Sequence, residues 1–318
     1  MNDEYVKSIC FGRDSTSDRN RVDASATLLT EFLESLKLSR GRRTRIVLRN
    51  LSFPDDRLLC DMFLNDGIST DSFEMKGCLI NGPCNLSVNA VQSWNIRQIK
   101  LHIKPDEREA EWYLGLLPKL SACTNLQTLD VVAQGGGDKD AIVEKLGNIL
   151  VSGNLKRMVL KFNRGIASFV PNINWTPLIE PLKQNISLEE LSLDVENHHP
   201  LSKADKKAIK SLYHILKHYN TTLKSGFWFR AWEYSRRVFY KIQHLTDMNR
   251  YGRGIARDPK APLKELVDGI STVGEMPETE GSYSDRQIHS VQYGLLLESV
   301  SKWSSVAQVP SESAPSRK

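Results

Sequence analysis

Apolar positions recur along much of this chain as a short phrase, L-x-x-L-x-L, and each phrase is followed by a stretch in which they recur every three to four residues. Four copies are clean: Ile96/Ile99/Leu101, Leu126/Leu129/Val131, Leu155/Met158/Leu160 and Leu188/Leu191/Leu193. Three are looser: Ile46/Leu48 with Arg43 in the first slot, Thr70/Phe73/Met75, and Leu223 leading into KSGFWF. First slots fall at 43, 70, 96, 126, 155, 188 and 223, a spacing of 26 to 35 residues. Alternation within the phrase has the period of a strand, whose side chains point to opposite faces in turn. A fixed spacing of this size is the signature of stacked repeats.

The intervening stretches read as helices. DEREAEWYLGLLPKL places Trp112, Leu116, Leu117 and Leu120 at helical spacing, and DKDAIVEKLGNIL does so with Ile142, Leu146, Ile149 and Leu150. In SKADKKAIKSLYHILKHYN the stripe is Ile209, Leu212, Tyr213 and Leu216, and Ser202 is the expected N-cap. One short strand and one helix cannot cover each other's apolar faces, so the units must stack. The fold class expected is therefore α/β, a solenoid of about seven units over residues 43–230, with parallel strands inside and helices outside.

On these phrases the chain resembles leucine-rich-repeat proteins of the ribonuclease-inhibitor-like type. KIQHLTDMNRYGRG adds to this, since Asn249, Arg250, Gly252 and Arg253 match the Leu-Asn-Arg-x-Gly-Arg phrase that closes diatom-type leucine-rich-repeat-like proteins, with Met248 in the leucine position. The resemblance implies a fold and no reaction. The Asn or Cys expected eight residues after the first slot is met at Cys78 and Asn163 alone, which predicts irregular loops after the other strands.

Both ends of the array need covers. Residues 1–21 are polar and read as a mobile arm, and residues 22–42, with Leu28, Leu29, Phe32, Leu36 and Leu38, as an N-terminal capping helix. Residues 231–302 read as a C-terminal helical cap. It opens on the stripe Val238, Phe239, Ile242, Leu245 and Met248, with Gly252 as the glycine past the helix end. Residues 303–318 have the composition of a disordered tail.

Composition sets bounds without changing this picture. With 40% hydrophobic and 25% charged residues the chain is globular, no apolar run spans a bilayer, and the start lacks the apolar core of a signal peptide. A place inside the cell, cytoplasmic or nuclear, is expected. Cys10, Cys60, Cys78, Cys84 and Cys123 are odd in number and lack CxxC spacing, so free thiols are expected. A net charge of +5 permits polyanion binding.

Candidate chemistry is sparse. HILKH brings His214 and His218 to one helix face, but Ile215 stands where a metalloprotease has its general base. His198 and His199 are neighbours and point apart. AQGGGDKD opens a helix without the GK[ST] of a phosphate loop. No catalytic residue, metal or cofactor is assigned, and no enzyme activity is expected. RGRRTR and the Arg/aromatic stretch Phe227 to Lys241 are the basic features a nucleic acid would use.

The expected working surface is the concave face of the strands, which carries Arg45, Arg49, Asp71, Glu74 and Lys76 in its first rows; the site residues singled out on it are Arg97, Lys100, His102, Asp130, Lys156, Arg157, Lys161, Glu189, Glu190 and Asp194. Signs alternate from row to row there, whereas a nucleic-acid groove holds one sign along its length. The first expectation is thus a non-catalytic scaffold for an unknown protein partner. A polyanion or nucleic-acid binder using the basic rows and residues 227–241 is the alternative, and an enzyme of unknown class the third reading.

Overall fold

The computed structural model describes residues 7–12, 22–23, 44–57, 59, 70–103, 107–134, 138–152, 154–163, 173–195, 202–228, 236–257, 267–268, 271 and 285–307. In chain order its strands are β1 (Lys7–Gly12), β2 (Val22–Asp23), β3 (Thr44–Arg49), β4 (Leu51–Phe53), β5 (Thr70–Lys76), β6 (Leu79–Ile80), β7 (Gln98–Ile103), β8 (Thr128–Gln134), β9 (Arg157–Asn163), β10 (Glu190–Val195) and β11 (Ser225–Trp228). The helices are α1 (Val88–Gln92), α2 (Glu107–Leu116), α3 (Lys139–Ser152), α4 (Thr176–Ile179), α5 (Lys203–His218), α6 (Arg236–Arg250), α7 (Arg253–Arg257) and α8 (Asp285–Ala307). Short 3-10 helices, Leu117–Ala122 and Glu180–Lys183, extend α2 and α4 where Pro118 and Pro181 deny the backbone an α-helical donor.

All seven phrases form strands. They join β1 in one eight-stranded sheet, ordered β1-β3-β5-β7-β8-β9-β10-β11, in which every neighbouring pair is parallel. The sheet does not close into a barrel. Short strands β2, β4 and β6 make a second parallel sheet. β4 begins one residue after Asn50, whose positive φ of 52° turns the chain out of β3.

Period-two alternation is visible in the burial. Ile99, Leu101 and Ile103 on β7, Leu129 and Val131 on β8, Met158, Leu160 and Phe162 on β9, and Leu191 and Leu193 on β10 are buried in one core with Trp112, Leu146, Leu150, Leu178, Leu212 and Leu216 from the helices. Each such side chain stabilises the fold by about 1.5–3 kcal/mol relative to exposure. First-slot residues Leu126, Leu155, Leu188 and Leu223 are buried as well. Helices pack closely: a Cβ on Gly147 of α3 would come within 2.1 Å of the Pro177 carbonyl oxygen at α4. Ser202 caps α5 through a reciprocal pair with Asp205, as its place before the helix predicts.

A polar ladder runs along the core, and it is not at the position the sequence suggested. Cys78 does donate to the Leu48 carbonyl at 3.4 Å. The recurring contacts, however, lie three residues before the first slot. Cys123 donates from Sγ to the Trp94 carbonyl at 3.5 Å. Asn185 donates to the Leu150 carbonyl (2.7 Å) and accepts from the Leu188 amide (2.7 Å). Asn220 donates to the carbonyls of Leu182 (2.9 Å) and Asn185 (3.1 Å) and accepts from the Leu223 amide (2.9 Å). Asn249 then donates to the Leu223 carbonyl at 2.9 Å. Each amide satisfies buried backbone groups of two successive turns of chain, groups that would cost about 1–3 kcal/mol each if left bare.

Asn249 opens the closing phrase, and the rest of that phrase is a helix stop. Gly252 has φ of 109°, as a glycine past the end of α6 requires. Arg253 is fully buried and donates to the last carbonyls of α5, Leu216 and Lys217 (2.7 Å to the latter). Glu298 of α8 receives Arg253 (3.1 Å) and Arg257 (2.9 Å) and is the counter-ion they share. The helix-end carbonyls have no intrahelical donor, so a buried guanidinium with a carboxylate partner is the chemistry they call for.

Three boundaries differ from those expected. The arm over residues 1–21 contains β1, because the edge of β3 offers unpaired backbone groups that an extended SICF segment satisfies whatever its neighbours' composition. In the segment 22–42, Val22–Asp23 is a strand and residues 24–42 lie outside the described residues. The tail expected from residue 303 begins as helix, since α8 continues to Ala307; no proline interrupts it before Pro310.

Candidate functional site

The sheet face turned away from the helical core is built by the other parity of each strand. Register sets three rows across it. The first runs Arg45, Ser72, Gln98, Thr128, Arg157, Glu190; the second Val47, Glu74, Lys100, Asp130, Val159, Ser192; the third Arg49, Lys76, His102, Val132, Lys161, Asp194. Lys100, His102, Asp130, Arg157, Lys161 and Glu190 therefore come together on one face, with Asp194 in register beside Lys161.

Arg97, Lys156 and Glu189 do not join them. Each lies one residue before its strand, and with Asp71, Gln127 and Lys224 they form a line along the sheet's amino-terminal rim, linked carbonyl to amide from one strand to the next. Ion pairs stud this rim at both ends, Arg97 with Asp71 (3.8 Å) and Lys224 with Glu189 (3.0 Å).

Glu74 is the hub of the face. Its carboxylate, 6% exposed, receives Arg45 Nη2 at 2.6 Å, with Lys100 Nζ at 3.9 Å and His102 Nε2 at 3.5 Å. Burial pushes its pKa up, but the hydrogen bond from Arg45 and the charges of Lys100 and Arg45 outweigh that and hold it below the ordinary glutamate value. The pKa of His102 is lowered too, but for an imidazole that favours the neutral form. Burial first, then the charge of Lys100, lower its pKa to about 4 against the pull of Glu74, so it is a neutral imidazole at pH 7 and its contact with Glu74 is not an ion pair.

Asp130 sits in register between Lys100 and Val159. Among the described residues its buried Oδ1 has no hydrogen-bond partner, and burial raises its pKa despite the charges of Arg157 and Lys100. Across the next pair, Arg157 Nε meets Glu190 Oε1 at 3.5 Å.

Three valines complete the face. Val47, Val132 and Val159 are 2%, 7% and 5% exposed, yet they stand apart from the helical core. The expected site omitted the valines and left Glu74, read on that face, unselected. Strand parity alone places the valines, because in TLDVVAQ and RMVLKFN the residues buried in the core are Leu129, Val131, Met158 and Leu160. The centrality of Glu74 has no sequence signal, since its three partners come from two other strands.

The remaining motifs carry no built site. His214 and His218 have ring centroids 4.6 Å apart on the exposed side of α5. Among the described residues no group of three or more His, Cys, Asp or Glu side chains is placed to hold a metal ion, and no helix is long and apolar enough to cross a membrane. Residues 40–43, 135–137, 198–199 and 229–235, which hold parts of the basic, glycine-rich, paired-histidine and Arg/aromatic motifs, lie outside the described residues. No family model, no curated protein and no solved structure matches the chain.

Proposed function

We propose that the chain is a leucine-rich-repeat-like solenoid acting as a non-catalytic scaffold, and that it binds a protein partner on the strand face. The repeated phrase, a parallel sheet in chain order and the Asn/Cys ladder support the solenoid reading. The observation that carries the partner reading is the composition of the face: acids and bases interleave in register around covered valines, and Asp130 keeps a desolvated oxygen that no described residue partners. An unsatisfied buried carboxylate oxygen lowers stability and is tolerated where a site uses it. A polyanion would meet Glu74, Asp130 and Glu190 as repulsive charges.

The test uses a partner isolated by crosslinking and then produced pure. Arg157→Glu with Lys161→Glu is expected to weaken its binding by about 2 kcal/mol or more, while Lys203→Glu with Lys206→Glu on α5 changes it little. The swap Arg157→Glu with Glu190→Arg keeps the internal pair, so unchanged melting with lost binding assigns the face to the partner. Intact binding in both strand-face variants, with loss in the α5 variant, places the surface on the helices and rejects this reading.

A further inference from the structure

The helical end carries a cleft that the strand-face reading does not use. It opens between α5, α6 and α8, encloses about 400 Å³, and is lined by Tyr213, Lys217, Lys241, Leu245, Met248 and Leu297. Its floor is apolar, with Leu245 and Met248 buried.

α8 presents three faces. Val291, Leu295 and Ser299 are buried. Gly294, Leu297, Glu298 and Ser301 follow one another at helical spacing along the cleft. Tyr293, Leu296 and Val300 form a third stripe, 63%, 47% and 64% exposed. At about 100° per residue Leu297, itself 50% exposed, lies between the cleft and that stripe, so apolar surface continues out of the cleft over two turns of helix. A helix whose only partner is the core places charged residues on its outer side. This one places tyrosine, leucine and valine there, and contiguous exposed apolar surface marks an interaction site.

Among the described residues, charge around the cleft is one-sided. Glu298 is the carboxylate that lines it, and it is already engaged by Arg253 and Arg257. Lys217 and Lys241 add two cations, with Lys241 Nζ 5.6 Å from the centre of the Tyr213 ring. A second copy of this chain is a poor occupant, because a self-complementary contact brings one cationic rim against another.

We propose that this cleft and the adjoining face of α8 dock an acidic amphipathic helix of a partner protein, its apolar stripe seated on Tyr293, Leu296 and Leu297 and its carboxylates on Lys217 and Lys241. A helix presenting apolar anchors at i, i+3, i+4 and i+7 matches the spacing of the exposed stripe, and its acids meet the lysine rim.

The test is fluorescence anisotropy on the full chain with two labelled synthetic helices of about 18 residues, or five turns. Both carry leucine at i, i+3, i+4 and i+7, one with glutamate at the flanking positions and its twin with lysine. The acidic peptide is expected to bind at least about tenfold more tightly than the twin and to weaken as salt rises. Leu297→Asp, and separately Lys217→Glu with Lys241→Glu, are each expected to reduce its binding about tenfold or more, while Arg157→Glu with Lys161→Glu on the strand face leaves it unchanged. Leu296→Asp, at a position outside the cleft, replaces Leu297→Asp if melting shows the latter misfolds. Undetectable binding of the acidic peptide, equal affinity for both peptides, indifference to the α8 variants, or loss in the strand-face variant overturns the proposal. A dimer in sedimentation that Leu297→Asp dissociates also overturns it, by giving the face to a second copy.

Discussion

His102 shows how two neighbouring strands set the state of one side chain. Lys100 lies two residues before it on β7, Lys76 is in register on β5, and Glu74 faces it from the same strand as Lys76. Burial and Lys100 together depress its pKa to about 4. In the unfolded chain the imidazole takes a proton near pH 6.5, whereas in the folded one it stays neutral down to about pH 4. The unfolded state therefore binds more protons in that window, and stability falls as pH drops from 6.5 toward 4. The loss is up to about 3 kcal/mol, at about 1.4 kcal/mol per pKa unit. Glu74, with its pKa lowered, adds to the loss in the same direction as pH falls through its folded value. Thermal melts across this range are expected to decline, and His102→Gln to flatten the decline between pH 6.5 and 5. Proton NMR gives the direct check: the His102 ring signals are expected to hold still from pH 8 to 5, and a midpoint near 6.5 contradicts this account.

At the scale of elements, the junction of α5, α6, α7 and α8 depends on one guanidinium. Arg253 joins the carbonyls of Leu216 and Lys217 to Glu298, and Glu298 in turn holds Arg257. Burial raises the pKa of Glu298, but the hydrogen bond from Arg257 and the charge of Arg253 hold it below the usual range. Arg253→Met leaves two helix-end carbonyls and a half-buried carboxylate short of their donor, and is expected to cost about 3–5 kcal/mol in urea unfolding. Adding Glu298→Gln to that variant is expected to recover part of the loss, because the pair shares one network. A change within 1 kcal/mol for Arg253→Met, on the scale of a surface substitution, shows that α8 docks without it. The arginine phrase is thus a stop for the last helices of the sheet, and the α6–α8 cleft stands on this junction.

For the whole molecule the mixed sign of the strand face bears on the proposed choice of a protein partner over a nucleic acid. Arg45, Lys76, Lys100, Arg157 and Lys161 would favour phosphate, but Glu74, Asp130 and Glu190 stand between them in the same rows. Nucleic-acid binding is expected to be weak and gone by physiological salt, the logarithm of affinity falling with log salt at roughly −0.7 to −0.9 per neutralised phosphate. Filter binding over a salt series checks this. Tight, sequence-selective binding at physiological salt makes the polyanion reading the better one.

Local period was enough to find every phrase strand, the helices α2, α3, α5 and α6, the Ser202 cap and the glycine that ends α6, because backbone pleat and helical turn impose their spacing within a few residues. Parity further placed Lys100, His102, Asp130, Arg157, Lys161 and Glu190 on one face. It misplaced Arg97, Lys156 and Glu189, whose phrases begin before the pleated strand does, so a rim residue reads as a face residue. Tertiary structure alone decided the gathering of Arg45, Lys100 and His102 around Glu74, the amide ladder through Asn185 and Asn220, the reach of Arg253 to α5, and the outward apolar stripe of α8. Those contacts join residues about thirty or more apart, or turn on which side of a helix the core covers. Register and packing set them, and no spacing along the chain encodes either.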